Sequence, residues 1–586
     1  MVYNYKKEVI FLRINEVSIK TGLTKKAVRF YEKKGLLNVE RISNGYREYN
    51  EDDIELLKNI KSLRMAGISV SDIKLLFDGI VTIEELSLKR QKEIENEFGL
   101  YSSQLENCNR VIHQYKNKEF DNLNEYDEAD ELDETQLGEL AVGIDIGTTS
   151  ISAVVLDITN KSVVEFYTIP NNYYIKNENS AFFQQDAELI CKKALELADH
   201  ITSNYNNIKS IGVTGQMHGI LYIDKKGNSV SPLITWQDKR GDLKISNSLT
   251  YCEKIKELTD EKISTGYGFA THFYNTKNGL VPQNAYSMCS IMDYLVMKLT
   301  GNAMPVMHNS VAASFGLFDI ENNTFKNDKI EVLGIDNLKL PGVCDDFLIC
   351  GKYKNISVSV AIGDNQASFL GTVKDIDGTV LVNIGTGSQI SYVSEAYDID
   401  EALEIRPLVK NKYIVCGSAL CAGSAYALCE NFFREYMKAA TGTNECQYDV
   451  INRLAQQAIK EKKEPLEVNT AFSGKRNAPL ACGSIDAITT QNFTPSQMVL
   501  GFIYGICREL YDFMGDGIND KSLIVASGNA VQKIPVMKNV LFDVFGVEVQ
   551  ISKSREEASL GTALFSGIAN GDLKDITETS GFINYK

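Results

Sequence analysis

The sequence predicts a multidomain chain, in which a small helical winged helix-turn-helix module with a coiled-coil helix precedes a larger α/β body of two related lobes. Three observations lead there. At 586 residues the chain is too long for one hydrophobic core. Its charge is partitioned: fifteen Lys and Arg stand against ten Asp and Glu over residues 1–77, a local excess of +5 in a chain whose formal net charge is −16. A glycine-rich strand-turn-strand pattern, Val142-Gly-Ile-Asp-Ile-Gly-Thr-Thr149, recurs about 240 residues later as Leu381-Val-Asn-Ile-Gly-Thr-Gly-Ser-Gln389.

The first module is legible element by element. Ile14 and Val17 fit a short helix, Thr21-Gly22 a turn, and Thr24 an N-cap for a second helix, Lys25 to Lys34. That helix carries Lys25, Arg29 and their basic neighbours on one face and an apolar seam on the other, as a helix entering the major groove requires. Asn44-Gly45 makes a tight turn, and Tyr46-Arg47-Glu48-Tyr49 reads as a wing strand able to touch an adjacent phosphate backbone. Further on, Ile94, Phe98, Tyr101, Leu105, Cys108 and Ile112 alternate spacings of four and three, the seam of a coiled coil. Residues 119–139 then hold ten carboxylates and no Lys or Arg; self-repulsion with few apolar groups marks an extended linker.

In the larger body, strand AVGIDIG runs into a Gly/Thr/Ser turn and a second strand, ISAVVLD. Small residues let a backbone approach a polyphosphate closely, and Asp145 supplies a hard oxygen for magnesium. The repeat at 381–389 supplies a second phosphate turn, and Ile524-Val-Ala-Ser-Gly-Asn-Ala530 leaves bare backbone against which a purine can lie. Twelve cysteines without a CxxC pair or metal-type Cys/His spacing suit reduced thiols. No apolar run approaches the roughly 18–20 residues of a membrane span, and no basic segment with an apolar core opens the chain. A cytoplasmic protein with no membrane partner is the expectation.

Residues 12 to about 78 resemble the MerR family of transcription regulators through Ala27-Val-Arg-Phe-Tyr-Glu-Lys-Lys-Gly-Leu-Leu37, Asn44-Gly-Tyr-Arg-Glu-Tyr49, Leu63-Arg-Met-Ala-Gly67 and Ser71-Asp-Ile-Lys-Leu-Leu76. The resemblance implies double-stranded promoter DNA as a partner, contacted by Lys25, Arg29, Tyr31, Arg47 and Tyr49, and a homodimer formed through the helix that follows. Residues 141 to about 572 resemble the actin-like (ribonuclease H-like) sugar kinases of the FGGY family. The carrying motifs include Gly143-Ile-Asp-Ile-Gly-Thr148, Gly215-Gln-Met-His-Gly219, Trp236-Gln-Asp-Lys-Arg240, Gly363-Asp-Asn365, Gly385-Thr-Gly-Ser388, Ser527-Gly-Asn529 and Glu557-Ala-Ser-Leu-Gly-Thr-Ala563. Within that family, Ser264–Ala270, His308–Phe318 and Ala361–Ser368 look most like the sedoheptulokinase branch, with xylulokinases next.

The resemblance divides the chain into a DNA-binding domain at 11–80, a dimerisation helix at 81–117, an acidic linker at 118–140, a sugar- and phosphate-binding lobe at 141–375 and a nucleotide-binding lobe at 376–572. It implies ATP and Mg2+ as cofactors and a ketose as substrate. Asp364 is the expected catalytic base. Asp145, Gly147, Thr148, Thr149, Gly385, Thr386, Gly387 and Ser388 are expected around metal and phosphates, Gln216, Met217, His218, Asp238, Arg240 and Asn365 around the sugar, and Gly528 with Asn529 at the nucleotide. Two departures stand out: Ser527-Gly-Asn529 replaces the usual glycine run, and His272-Phe-Tyr-Asn275 stands where relatives carry Lys-Trp, leaving Trp236 as the sole tryptophan. Three functions fit: a ketose kinase that also binds DNA, a sugar sensor with little turnover, and an enzyme whose N-terminal module only tethers it.

Overall fold

A computed structural model describes residues 12–96 and 137–585, except 38, 42–46, 247, 396–402, 476, 477, 479, 554 and 555. The chain begins with α1 (Ile14–Thr21) and α2 (Lys25–Lys33), joined through Gly22 in the left-handed region (φ 65°). Thr24 caps α2 as expected, its hydroxyl accepting from the Ala27 N–H at 3.1 Å. Strands β1 (Glu40–Arg41) and β2 (Arg47–Glu48) pair antiparallel, and α3 (Glu51–Met65), α4 (Val70–Phe77) and α5 (Ile83–Asn96) follow. Val17, Val28, Leu57, Ile60 and Leu63 are fully buried and form the apolar centre of this module. Most of the proposed coiled-coil seam, from Phe98 onward, and most of the acidic segment lie outside the described residues.

After residue 137 come β3 (Leu140–Ile146), β4 (Ser150–Asp157), β5 (Ser162–Pro170) and α6 (Ala187–Asn204). The chain divides into two compact units. The first joins the N-terminal module to residues 146–173 and 188–207, that is, to the β4–β5 hairpin and most of α6. β4 and β5 pair antiparallel from Ser150↔Pro170 to Asp157↔Ser162 with one bulge.

The second unit holds residues 141–145, 174–187 and 208–586. Its first sheet contains β3, β6 (Ile208–Gly215), β7 (Ile349–Tyr353) and β8 (Ile356–Ser359), in the order β7-β8-β6-β3. β6 and β8 are parallel, and Ile211, Val213 and Val358 on them are fully buried. Between these strands lie α7 (Gly268–Lys277) and α8 (Ile291–Thr300), and α9 (Asp364–Leu370) follows β8. A six-stranded sheet comes next, built from β9 (Thr379–Ile384), β10 (Ser388–Ser394), β11 (Glu404–Val409), β12 (Lys412–Ala419), β13 (Leu523–Ser527) and β14 (Glu548–Ile551) in the order β11-β12-β10-β9-β13-β14. Helices α10 (Gly423–Thr441) and α11 (Pro495–Asp512) pack on it, and α12 (Glu557–Asn570) crosses α9. That crossing is close because Gly561 lies against the Ala367 carbonyl and Gly371 against that of Glu557; a Cβ at either glycine would overlap the oxygen. The crossing fixes α9, and therefore Asp364 at its first turn. Among the described residues no helix is long and apolar enough to cross a membrane.

Candidate active site

β3 delivers Asp145 near its end, and α9 presents Asp364 as its first residue, behind the N-cap Gly363. Burial pushes the Asp145 carboxyl up to about 8, and the charges of Asp364 and Glu556 add to the effect. Burial likewise raises Asp364, to about 6, while the Arg406 guanidinium and the Asn365 backbone N–H pull it down. Two half-buried carboxylates that each resist losing a proton form a site waiting for positive charge. Among the described residues no group of three or more His, Cys, Asp or Glu is placed to hold a metal ion. The donor set nevertheless suits magnesium, which keeps several waters and takes one or two carboxylates beside substrate phosphates. Asp145 would hold it, and the ion would neutralise phosphate charge.

The second Gly/Thr turn is tightly built. Gly385 N–H donates to the Gly387 carbonyl at 2.9 Å, while Gly423 N–H donates to Gly385 O, and Ala422 and Ser424 N–H to Thr386 O, each at 3.0 Å. The turn is thus pinned to the start of α10. Ser388 Oγ and Ser527 Oγ are buried without a hydrogen-bond partner. Gly528 sits at φ 92°, where a Cβ would meet the Ile384 carbonyl at 2.6 Å, so glycine is required beside Asn529. The first turn belongs to the other compact unit: Thr149 is exposed, Gly147 and Thr148 half-buried, and buried Asn171 holds it through Nδ2 to Gly147 O at 2.8 Å and N–H to Thr149 O at 2.9 Å.

A cavity of about 240 Å³ is lined by Met217, His218, Tyr267, Ser310, Ser314 and Arg406, among others. Met217 reaches Gly363, where a Cβ would come within 2.8 Å of its Sδ. Ser310 Oγ accepts from Gly363 N–H at 3.1 Å, so cavity wall and Asp364 share one support. His218 occupies the left-handed region (φ 70°) and stacks on Tyr267, with ring centroids 4.4 Å apart. Its Nδ1 lies 2.8 Å from the Ser314 carbonyl, which can only accept, so Nδ1 carries the proton.

Four expected contacts are corrected. Asp238 and Arg240 are 0% and 2% exposed and satisfy one another: Arg240 Nε and Nη2 donate to the two carboxylate oxygens at 2.7 and 2.9 Å, and Nη1 to Asn275 Oδ1. They brace the loop that leads to Tyr267 through Thr265 Oγ1, which donates to Asp238 O, rather than meeting a sugar. Tyr31 and Tyr49 are buried in the N-terminal module, because the amphipathic helix and the wing turn their aromatic rings to the core; neither can reach DNA. Two further residues are engaged by protein groups: Gln216 donates to Gln185 Oε1 at 2.8 Å, and Asn365 to Gln389 Oε1 at 3.3 Å. Lys25 and Arg29 are exposed on α2, and Arg47 is tied to Glu32 at 2.5 Å. Sequence reasoning passed over Arg406 and Glu404, which follow an undescribed segment on β11 and carry no motif. Tyr267 lay inside a quoted segment, and the glycine before it was its only signal.

The gluconate kinase of Lactobacillus acidophilus superposes with a TM-score of 0.63 at 20% identity, over 76% of this chain and 92% of that one. Plasmodium falciparum glycerol kinase with ADP superposes with 0.62 at 19%, over 76% and 92%. The chain therefore shares its fold with these two kinases over about three quarters of its length. Residues 140–381 match the N-terminal domain of the FGGY family of carbohydrate kinases, and residues 12–80 match the MerR HTH family regulatory protein model. Mouse sedoheptulokinase is 25% identical over 468 residues, covering 72% of this chain and 96% of the mouse protein. The xylulose kinase of Staphylococcus xylosus is 24% identical over 474 residues, covering 75% and 92%.

Proposed function

We propose that the chain is an ATP-dependent ketose kinase, with sedoheptulose as the favoured substrate, fused to a sequence-specific DNA-binding regulator. The observation that carries the kinase reading is the Asp145–Asp364 pair, two carboxylates of raised proton affinity beside a cavity lined with hydrogen-bonding groups. Phosphoryl transfer needs alignment and charge neutralisation more than covalent chemistry. In this reading His218, Tyr267, Ser310 and Arg406 orient the polyol, Asp364 accepts the proton of the attacking hydroxyl, and Asp145 would hold the magnesium that ATP brings. A base with a proton affinity near neutrality is suited to that step at physiological pH. The two phosphate turns and the unpartnered Ser388 and Ser527 hydroxyls support ATP as the donor.

The exposed basic face of α2, with Lys25, Lys26, Arg29 and Lys33 outward over buried Ala27 and Val28, supports DNA binding, and the MerR match adds to it. Homodimerisation through residues 81–117 and the assignment of lobes at 141–375 and 376–572 belong to the same proposal. The test is phosphorylation of sedoheptulose, xylulose, ribulose and glycerol by the full-length chain with ATP and magnesium. Turnover highest on sedoheptulose supports the reading; sugar binding without turnover on any of the four selects a sensor instead.

A further inference from the structure

The first compact unit holds a contact that a mere tether would not need. Helices α4 and α5 of the N-terminal module lie on β5 of the kinase segment, and α4 with the turn after it is tied to α6. β5 pairs with β4, and at Phe166 and Thr168, two residues apart and so facing the same way, its carbonyls accept from Ser71 Oγ at 3.5 Å and Lys89 Nζ at 2.9 Å. Lys89 is itself held by both oxygens of buried Asp72, at 3.0 and 3.1 Å. From α6, Lys193 Nζ donates to the Ile80 carbonyl at 2.7 Å, His200 Nδ1 meets Asp78 Oδ2 at 2.8 Å, and Asn204 Oδ1 accepts from Lys74 Nζ at 2.5 Å. Side chains of the module thus occupy edge carbonyls that would otherwise need water or another strand.

The same strand runs straight to the first phosphate turn. Three residues beyond Thr168, about 10 Å along an extended chain, Asn171 is fully buried and holds Gly147 and Thr149 through its side chain and backbone. A displacement of β5 at Phe166 and Thr168 therefore reaches the turn through one short, continuous piece of backbone, with no intervening loop.

We propose that the α4–α5 surface couples the two functions: binding of Mg·ATP at the Gly147–Thr149 turn and binding of DNA by α2 bias one another through β5. The inference rests on the kinase-and-reader reading above. Because linkage is reciprocal, DNA must change nucleotide affinity by the factor by which nucleotide changes DNA affinity. Couplings of this kind amount to about 5- to 150-fold.

The experiment uses the full-length chain, the non-hydrolysable analogue Mg·adenylyl-imidodiphosphate, and a duplex that the chain itself selects from a random-sequence pool. Each affinity is measured with and without the other ligand at saturation. The expected result is an equal shift of at least about fivefold in both directions, which collapses to unity in an Asp72→Asn, Lys89→Met variant that still binds each ligand. Removing both charges together avoids leaving a buried carboxylate unpaired. Hydrogen exchange on the unmodified chain gives a second readout, with protection of residues 147–171 expected to change when the duplex is added. Two binding events with no mutual effect, or unchanged exchange at 147–171, would overturn the coupling alone. Failure to bind nucleotide, or failure to select any duplex, would overturn the underlying reading and the coupling with it.

Discussion

Asp145→Asn is expected to make the protein more stable and less active. The wild-type carboxyl releases its proton at about 8 in the fold, against an ordinary value of 3.8. A group with a raised folded value contributes fully below its unfolded value, and that contribution drains away as pH rises through the folded one. Metal-free wild type should therefore lose stability between about pH 4 and pH 8, while the Asn variant does not. At 1.36 kcal/mol per unit, the shift sets an upper bound of about 5 kcal/mol at pH 8; relaxation and water entry reduce it to about 2 kcal/mol. At roughly 2–4 °C per kcal/mol, the variant should melt about 5 °C above wild type at pH 8 and level with it near pH 4. Differential scanning calorimetry in EDTA reads this directly. Turnover should fall on the order of a hundredfold, the usual loss for one preorganised electrostatic partner. Equal melting temperatures at pH 8 would refute the claim that burial beside Asp364 and Glu556 strains this carboxylate.

Arg406→Gln removes a positive charge that holds Asp364 down, so the acidic limb of the pH–kcat profile should move above pH 6 by roughly one unit; an unmoved limb would separate Arg406 from the base. Lys25→Ala with Arg29→Ala should weaken DNA binding and reduce the slope of log affinity against log salt by about two, near 0.9 per lost phosphate contact. Tyr49→Phe should leave DNA affinity unchanged, since the buried Tyr49 hydroxyl has no hydrogen-bond partner; fluorescence anisotropy checks both variants.

What the sequence reveals depends on how local the cause is. The Thr24 cap and the two Gly/Thr turns arise from a few consecutive residues and were readable, whereas the demand for glycine at 528 comes from the Ile384 carbonyl, far away in the chain. Asp238 and Arg240 misled because a carboxylate and a guanidinium two residues apart look like sugar ligands until burial shows that they saturate each other. Tyr31 and Tyr49 misled for a related reason: amphipathic periodicity does not say which side of an aromatic meets solvent. Arg406 emitted no signal, since its significance comes from an approach to Asp364 across 42 residues of chain. The seat of α4 and α5 on β5 was hidden altogether. Ser71 and Phe166 lie 95 residues apart, and the acidic stretch between them suggests separation.

The central claim is most directly tested by measuring sedoheptulose-dependent ADP release for the full-length chain beside its Asp364→Asn variant, with ATP and magnesium. The account predicts clear turnover by the wild type and a loss of about 10²- to 10⁴-fold in kcat for the variant, with sugar affinity retained. Turnover by the variant at the wild-type rate would contradict Asp364 as the base, and no turnover by the wild type on any ketose would contradict the kinase reading.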